Sequence, residues 1–205
     1  MIINWYGEGC FKVQTGGLTL LTDPFDSSVG LTPPRGKSEA VLETLTSWPM
    51  KDKDMERKLI RGAGEYEIQG VDINGITSWH DETGGKKLGS NTAYSIKLED
   101  IKICHLGDFG EKELRNETLQ AIGPVDILFL PIGGKTVIDA ETASAVANKL
   151  EPKIIIPMHY EKKELAAFLK EAGVESLKSE EKLTVKKKDL PEDKARVVVL
   201  KPSIN

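Results

Sequence analysis

The chain has 205 residues and a mass of 22.5 kDa, enough for one domain with a sizeable core and short for two. With 28 Lys+Arg against 32 Asp+Glu and a pI near 5.6, it lacks the positive field of a general nucleic-acid or anionic-membrane binder. No apolar run approaches the ~20 residues needed to span a bilayer, so neither nucleic acid nor membrane is an expected partner.

The first half reads as short strands broken by turn signals. Residues 2–6, 10–15 and 18–22 are rich in β-branched or aromatic residues, and Gly16-Gly17 makes a two-residue hairpin between the last two. Residues 40–42, 58–61, 65–69, 71–73 and 76–79 continue as strands punctuated by Gly62, Gly64, Gly70 and Gly75. A polar, Gly-rich loop over 81–91 leads to strands 92–98 and 101–105. The second half alternates helix and strand. Leu114, Thr118, Ala121 and Ile122 share a helical face that Gly123-Pro124 ends, and strand 125–130 follows, with the unalternating pattern of a strand buried on both faces. Asp139 can cap a helix carrying Ala143, Val146 and Leu150, before strand 153–157. Leu165, Phe168, Leu169 and Ala172 mark a third helix, and 195–200 is a last strand. This order argues for one α/β domain over 1–205, with packed sheets and helices outside. Lys186-Lys187-Lys188 reads as a solvated loop.

The two cysteines, Cys10 and Cys104, are too few for a disulfide framework and read as buried small hydrophobes. Residues 1–11 show no basic segment running into an apolar stretch, so the expected localisation is cytoplasmic.

All three histidines, His80, His105 and His159, stand at or just past the carboxyl ends of expected strands, where sequence-distant segments can converge on one cleft. Asp23 and Asp108 occupy comparable positions, and histidines with a carboxylate are the ligand set that borderline metals favour.

The ordered segments NWYGEGCFKV, LTLLTDPF, GAGEYEI, CHLGD, DILFLPIGG and KIIIPMHY resemble the metallo-β-lactamase superfamily. The nearest branch holds L-ascorbate-6-phosphate lactonase-like proteins and uncharacterised metal-dependent hydrolases, and the likeness covers Met1 to about Leu169. The resemblance implies a four-layer αββα sandwich. It also assigns Asp23 to the family's first motif, His80 and His159 to ligand positions, and Asp108 to the bridging carboxylate; His105 matches no ligand. The family's His-x-His-x-Asp-His signature is missing: no histidine precedes His80, and Leu45, Ser47, Pro49 and Met50 stand where the four ligands would be.

The resemblance implies that the remaining metal set is His80, Asp108 and His159, expected to hold either no cofactor or one weakly bound divalent metal, zinc or manganese. Asp23 is expected behind them and His105 outside, and replacing His159 with Ala should move the melting temperature by no more than about 2 °C. The expected function is that of a catalytically silent fold-retaining protein binding a small molecule, a protein partner or a second copy of itself, with catalytic residues unknown. One alternative is a hydrolase with a mononuclear His80/Asp108/His159 centre acting on a phosphoester or lactone. Another is a non-hydrolytic enzyme using Gly84-Gly85-Lys86-Lys87 as an anion clamp.

Overall fold

The computed structural model describes residues 1–44, 58–175 and 177–204. In chain order the elements are β1 (Ile2–Gly7), β2 (Cys10–Gln14), β3 (Thr19–Thr22), β4 (Ala40–Glu43), β5 (Lys58–Arg61), β6 (Gly64–Ile68), β7 (Val71–Trp79), β8 (Ser90–Leu98) and β9 (Ile101–His105). Then come α1 (Asn116–Ile122), β10 (Ile127–Pro131), α2 (Ala140–Leu150), β11 (Ile154–Met158), α3 (Lys162–Glu171), β12 (Leu183–Thr184) and β13 (Arg196–Val197). The strands form two mixed sheets, ordered β12-β1-β2-β3-β4-β5 and β13-β11-β10-β9-β8-β7-β6.

The main core lies between the sheets, where Ile3, Phe11, Leu20, Leu42 and Ile60 of the first meet Ile73, Tyr94, Ile96 and Phe129 of the second. Phe11 and Phe129 stack with ring centroids 4.0 Å apart. On the outer face of the second sheet, Cys104, Leu128, Leu130 and Ile155 pack against Ile122, Val146 and Phe168 of the three helices. The outer face of the first sheet is covered by the segment after β3, whose Phe25, Val29 and Leu31 pack on Tyr6, Cys10, Leu21 and Val41. This is the layered arrangement that the alternation of elements required. Asp139 caps α2, accepting from the Thr142 amide at 2.9 Å.

Three elements differ from the sequence reading. Residues 71–79 form one strand, because Gly75 pairs in register with both Gly64 and Tyr94. A Cβ there would come within 2.3 Å of the Gly62 carbonyl oxygen, so this glycine marks a close backbone approach within a continuous strand. The last strand pairs regularly only at Arg196–Val197, and β12 arises from pairing with β1, far away in sequence.

The Gly-rich loop after β7 corrects the anion-clamp reading. Asp81 itself accepts from the amides of Thr83 (2.8 Å), Gly85 (3.1 Å), Lys87 (2.9 Å) and Leu88 (2.7 Å), and from the Thr83 hydroxyl (2.6 Å). Burial opposes the charge, yet these donors outweigh it and hold the Asp81 carboxyl well below the usual carboxylate range. The amides that could have cradled a phosphate are already spent on an internal anion. Lys87 lies 3.9 Å from Glu82, and in the later lysine run Lys187 bonds Asp126 at 2.8 Å, a structural contact.

Candidate functional site

The turn between β1 and β2 and the carboxyl ends of β3, β4, β7, β9 and β11 meet at one edge of the sandwich, bringing Glu8, Asp23, Thr44, His80, His105, Asp108 and His159 together. Asp108 is the hub. Its Oδ1 lies 2.9 Å from His159 Nε2, and its Oδ2 lies 3.5 Å from His80 Nε2. The 2.9 Å approach is a charge contact without hydrogen-bond alignment: Asp108 Oδ1, His159 Nε2 and His80 Nε2 are buried atoms with no aligned hydrogen-bond partner. The Asp108 amide donates to Asn91 Oδ1 at 3.0 Å, while Asn91 Nδ2 donates to Ser78 Oγ and the Leu106 carbonyl, both at 2.8 Å. Asn91 thus ties the loop after β9 to β7 and fixes where Asp108 points. Gly107 precedes it with φ +60°, and a Cβ there would strike the Thr44 side chain at 2.5 Å.

A second pair lies alongside. His105 is fully buried, and its Nε2 sits 2.9 Å from Asp23 Oδ2. Asp23 also accepts from the Thr44 amide at 2.7 Å and the Thr44 hydroxyl at 2.9 Å. Asp23 therefore does orient a histidine, but that histidine is His105, while His105 itself touches none of the other three. The two pairs are adjacent across Gly9, whose missing Cβ would lie 3.1 Å from both Asp23 Oδ2 and His159 Nε2.

Glu8 is the site residue that sequence reasoning missed. Its Oε2 lies 2.9 Å from His159 Nδ1, so the imidazole bridges two carboxylates, Glu8 and Asp108. Burial alone would lower the His159 pKa, but contact with Asp108 and Glu8 outweighs it and pushes it up to about 10. Burial likewise opposes the Asp108 charge, yet His159 and His80 hold that carboxyl below its ordinary value. Glu8, Asp23 and His159 all adopt left-handed backbone conformations, with φ of +47°, +37° and +54°. Non-glycine residues adopt this region at a cost, and three such residues around one site mark a geometry imposed by the surrounding fold.

Two cavities flank the cluster. One, of about 170 Å³, is lined by Glu8, His159, Tyr160, Glu161 and Glu164; the other, of about 330 Å³, by His80, Lys87, Glu111, Lys112 and Thr142. Lys135, Thr136 and Val137 line both and separate them.

Two ligand atoms on a tetrahedral zinc with bonds of ~2.0–2.1 Å stand ~3.3 Å apart, and the distances at Asp108, 2.9 and 3.5 Å, bracket that value. Among the described residues, no three His, Cys, Asp or Glu side chains close around a single point; Asp108 meets one histidine with each carboxylate oxygen. An ion shared by these donors would need the side chains to close in from this arrangement and His159 Nε2 to give up its proton, since a metal takes the neutral imidazole. The positions of the missing signature, Leu45, Ser47, Pro49 and Met50, lie outside the described residues.

A family model for the β-lactamase superfamily domain matches residues 2–159. The chain belongs to this superfamily. A UPF0173 metal-dependent hydrolase of Thermococcus onnurineus is 35% identical over 143 residues, covering 68% of this chain and 56% of that protein. A UPF0173 protein of Pyrococcus abyssi is 27% identical over 184 residues, covering 78% and 83% respectively. Against the Thermococcus protein and similar Pyrococcus hydrolases, this superfamily member spans about half of the relative's length. A crystal structure from Thermotoga maritima, described as a Zn-dependent hydrolase of the metallo-β-lactamase superfamily, superposes with a TM-score of 0.77 at 31% identity over 97% of both chains. The two-sheet metallo-β-lactamase architecture is therefore shared from end to end. No helix of the described residues is long and apolar enough to cross a membrane.

Proposed function

We propose that this metallo-β-lactamase-fold protein has lost the two-metal hydrolysis of its family and that its cleft binds a small ligand, with at most one exchangeable divalent ion at His80, Asp108 and His159. One observation carries the reading. The chain has three histidines; His105 is committed to Asp23, and the other two share a single carboxylate. Hydrolysis by two metals needs donors for both ions, and with no histidine before His80 the family signature cannot supply the second set.

When bound, a divalent ion would supply Lewis acidity and a more acidic water. The protein's own charges do something different. Protonated His159 lies between Glu8 and Asp108, so a single positive charge offsets two carboxylates where the family keeps metal. His105 and Thr44 hold Asp23 through three contacts shared between its two oxygens. The two cavities on either side of Lys135 provide the binding volume; Lys135 pairs with Glu161 at 3.4 Å, and carboxylates outnumber lysines in both linings.

A mononuclear hydrolase is the second reading, favoured by the buried donor atoms of His80, Asp108 and His159 that lack aligned partners beside a cleft. The test is an assay of purified protein against an activated phosphodiester, a lactone and a β-lactam, each with added zinc or manganese. The expected result is no rate above the buffer blank and no difference between the parent and Asp108→Asn. Turnover that Asp108→Asn abolishes would establish the mononuclear hydrolase instead.

A further inference from the structure

Glu8 stands between two glycines in the turn that joins β1 to β2, at the opposite end of the sequence from the histidine it meets. Several contacts fix it there. Its backbone is left-handed, its carbonyl accepts from the Trp5 indole at 2.8 Å, and Trp5 stacks on Tyr160, the residue after His159, with ring centroids 5.2 Å apart. Gly9 follows, and any side chain there would press on His159 Nε2. The turn is therefore shaped around His159 from two directions: Glu8 takes one ring nitrogen, and the bare Gly9 backbone leaves space at the other.

We infer that Glu8 is a positioning residue of the site, holding the His159 ring by Nδ1–H so that Nε2 faces Asp108. A carboxylate on the far nitrogen fixes both the orientation of an imidazole and which nitrogen is free to bind. Without Glu8 the ring can turn about its side-chain bonds, and the pairing of Nε2 with Asp108 is lost. The inference rests on the reading of His159 as a donor of the site, but its test also separates the two.

The experiment uses ring-directed proton–nitrogen NMR of the metal-free full chain, in which three histidines give few signals, with His159→Gln assigning its own. The parent should show a slowly exchanging His159 Nδ1–H. It should vanish in Glu8→Ala, and in Glu8→Gln it should survive but move upfield, because an amide oxygen still accepts without the charge. Melting curves of both variants confirm folding, and Glu8→Gln keeps the test open if Glu8→Ala fails to fold. Cobalt(II) loading then gives a second readout, in which the parent's visible band weakens in Glu8→Ala and is rescued in Glu8→Gln. An unchanged His159 ring signal in Glu8→Ala overturns the assignment. A parent that shows no cobalt band, with the ring signal still dependent on Glu8, overturns the reading of His159 as a metal donor and leaves the positioning role standing.

Discussion

Replacing His159 with Gln is expected to lower the melting temperature by roughly 6–12 °C at pH 7, from a loss of ~3 kcal/mol in a chain of this size. The cause is the charge left behind. Asp108 is buried and His159 is the cation closest to it, so removing the imidazolium strands a carboxylate in a poorly solvated place, and Glu8 loses the same partner. The sequence alone led to a shift of no more than about 2 °C, since a ligand to a weakly held ion would be nearly free to change. The structure argues for a larger loss, because His159 is the partner of two acids. The pH dependence follows in sign. His159 has a folded pKa of about 10, above its unfolded value, so its stabilisation is complete below the unfolded pKa near 6.5 and disappears as pH rises through about 10. The gap in melting temperature between parent and His159→Gln should therefore be wide at pH 6 and close towards pH 10.5. A gap that widens with pH would show that His159 is neutral and unpaired in the folded protein.

Leu128→Ala should cost ~2–5 kcal/mol, the range for a fully enclosed leucine whose cavity cannot collapse. Leu128 is completely buried in β10, which runs between β9 and β11 in parallel register, with Leu128 opposite Cys104 on one side and Ile155 on the other. Its side chain packs with Val146 and Phe168 under the helices, and rigid strands on both flanks limit relaxation. Denaturant melts read the loss directly, and a value under ~1 kcal/mol would mean that the helix layer adjusts to fill the space.

The carboxyl-end placement of His80, Asp108 and His159 was legible because a strand that ends in a histidine or Gly-Asp is a local pattern, and sheets align such ends without further information. The unbroken burial of β10 was visible in the same way. The role of Glu8 was not legible. A glutamate between Gly7 and Gly9 carries only the signal of a turn, and its partner His159 is brought beside it by the packing of one sheet on the other. Neither was the fate of Asp81, since Gly84-Gly85 describes a loop able to cradle an anion but not whose anion it cradles. The strand β12 was missed for a related reason: two residues have no periodicity, and only their pairing with β1 makes them a strand.

The most direct test of the proposed loss of a two-metal centre is elemental analysis of protein purified without a chelator or a histidine tag, before and after dialysis against EDTA. The account predicts at most one divalent ion per chain, removed by the chelator without unfolding, because one aspartate offsets only part of the ion's charge and His159 must first give up a proton held by two carboxylates. Two ions per chain that survive dialysis would contradict it, and would mean that residues other than the missing histidines rebuild the second site.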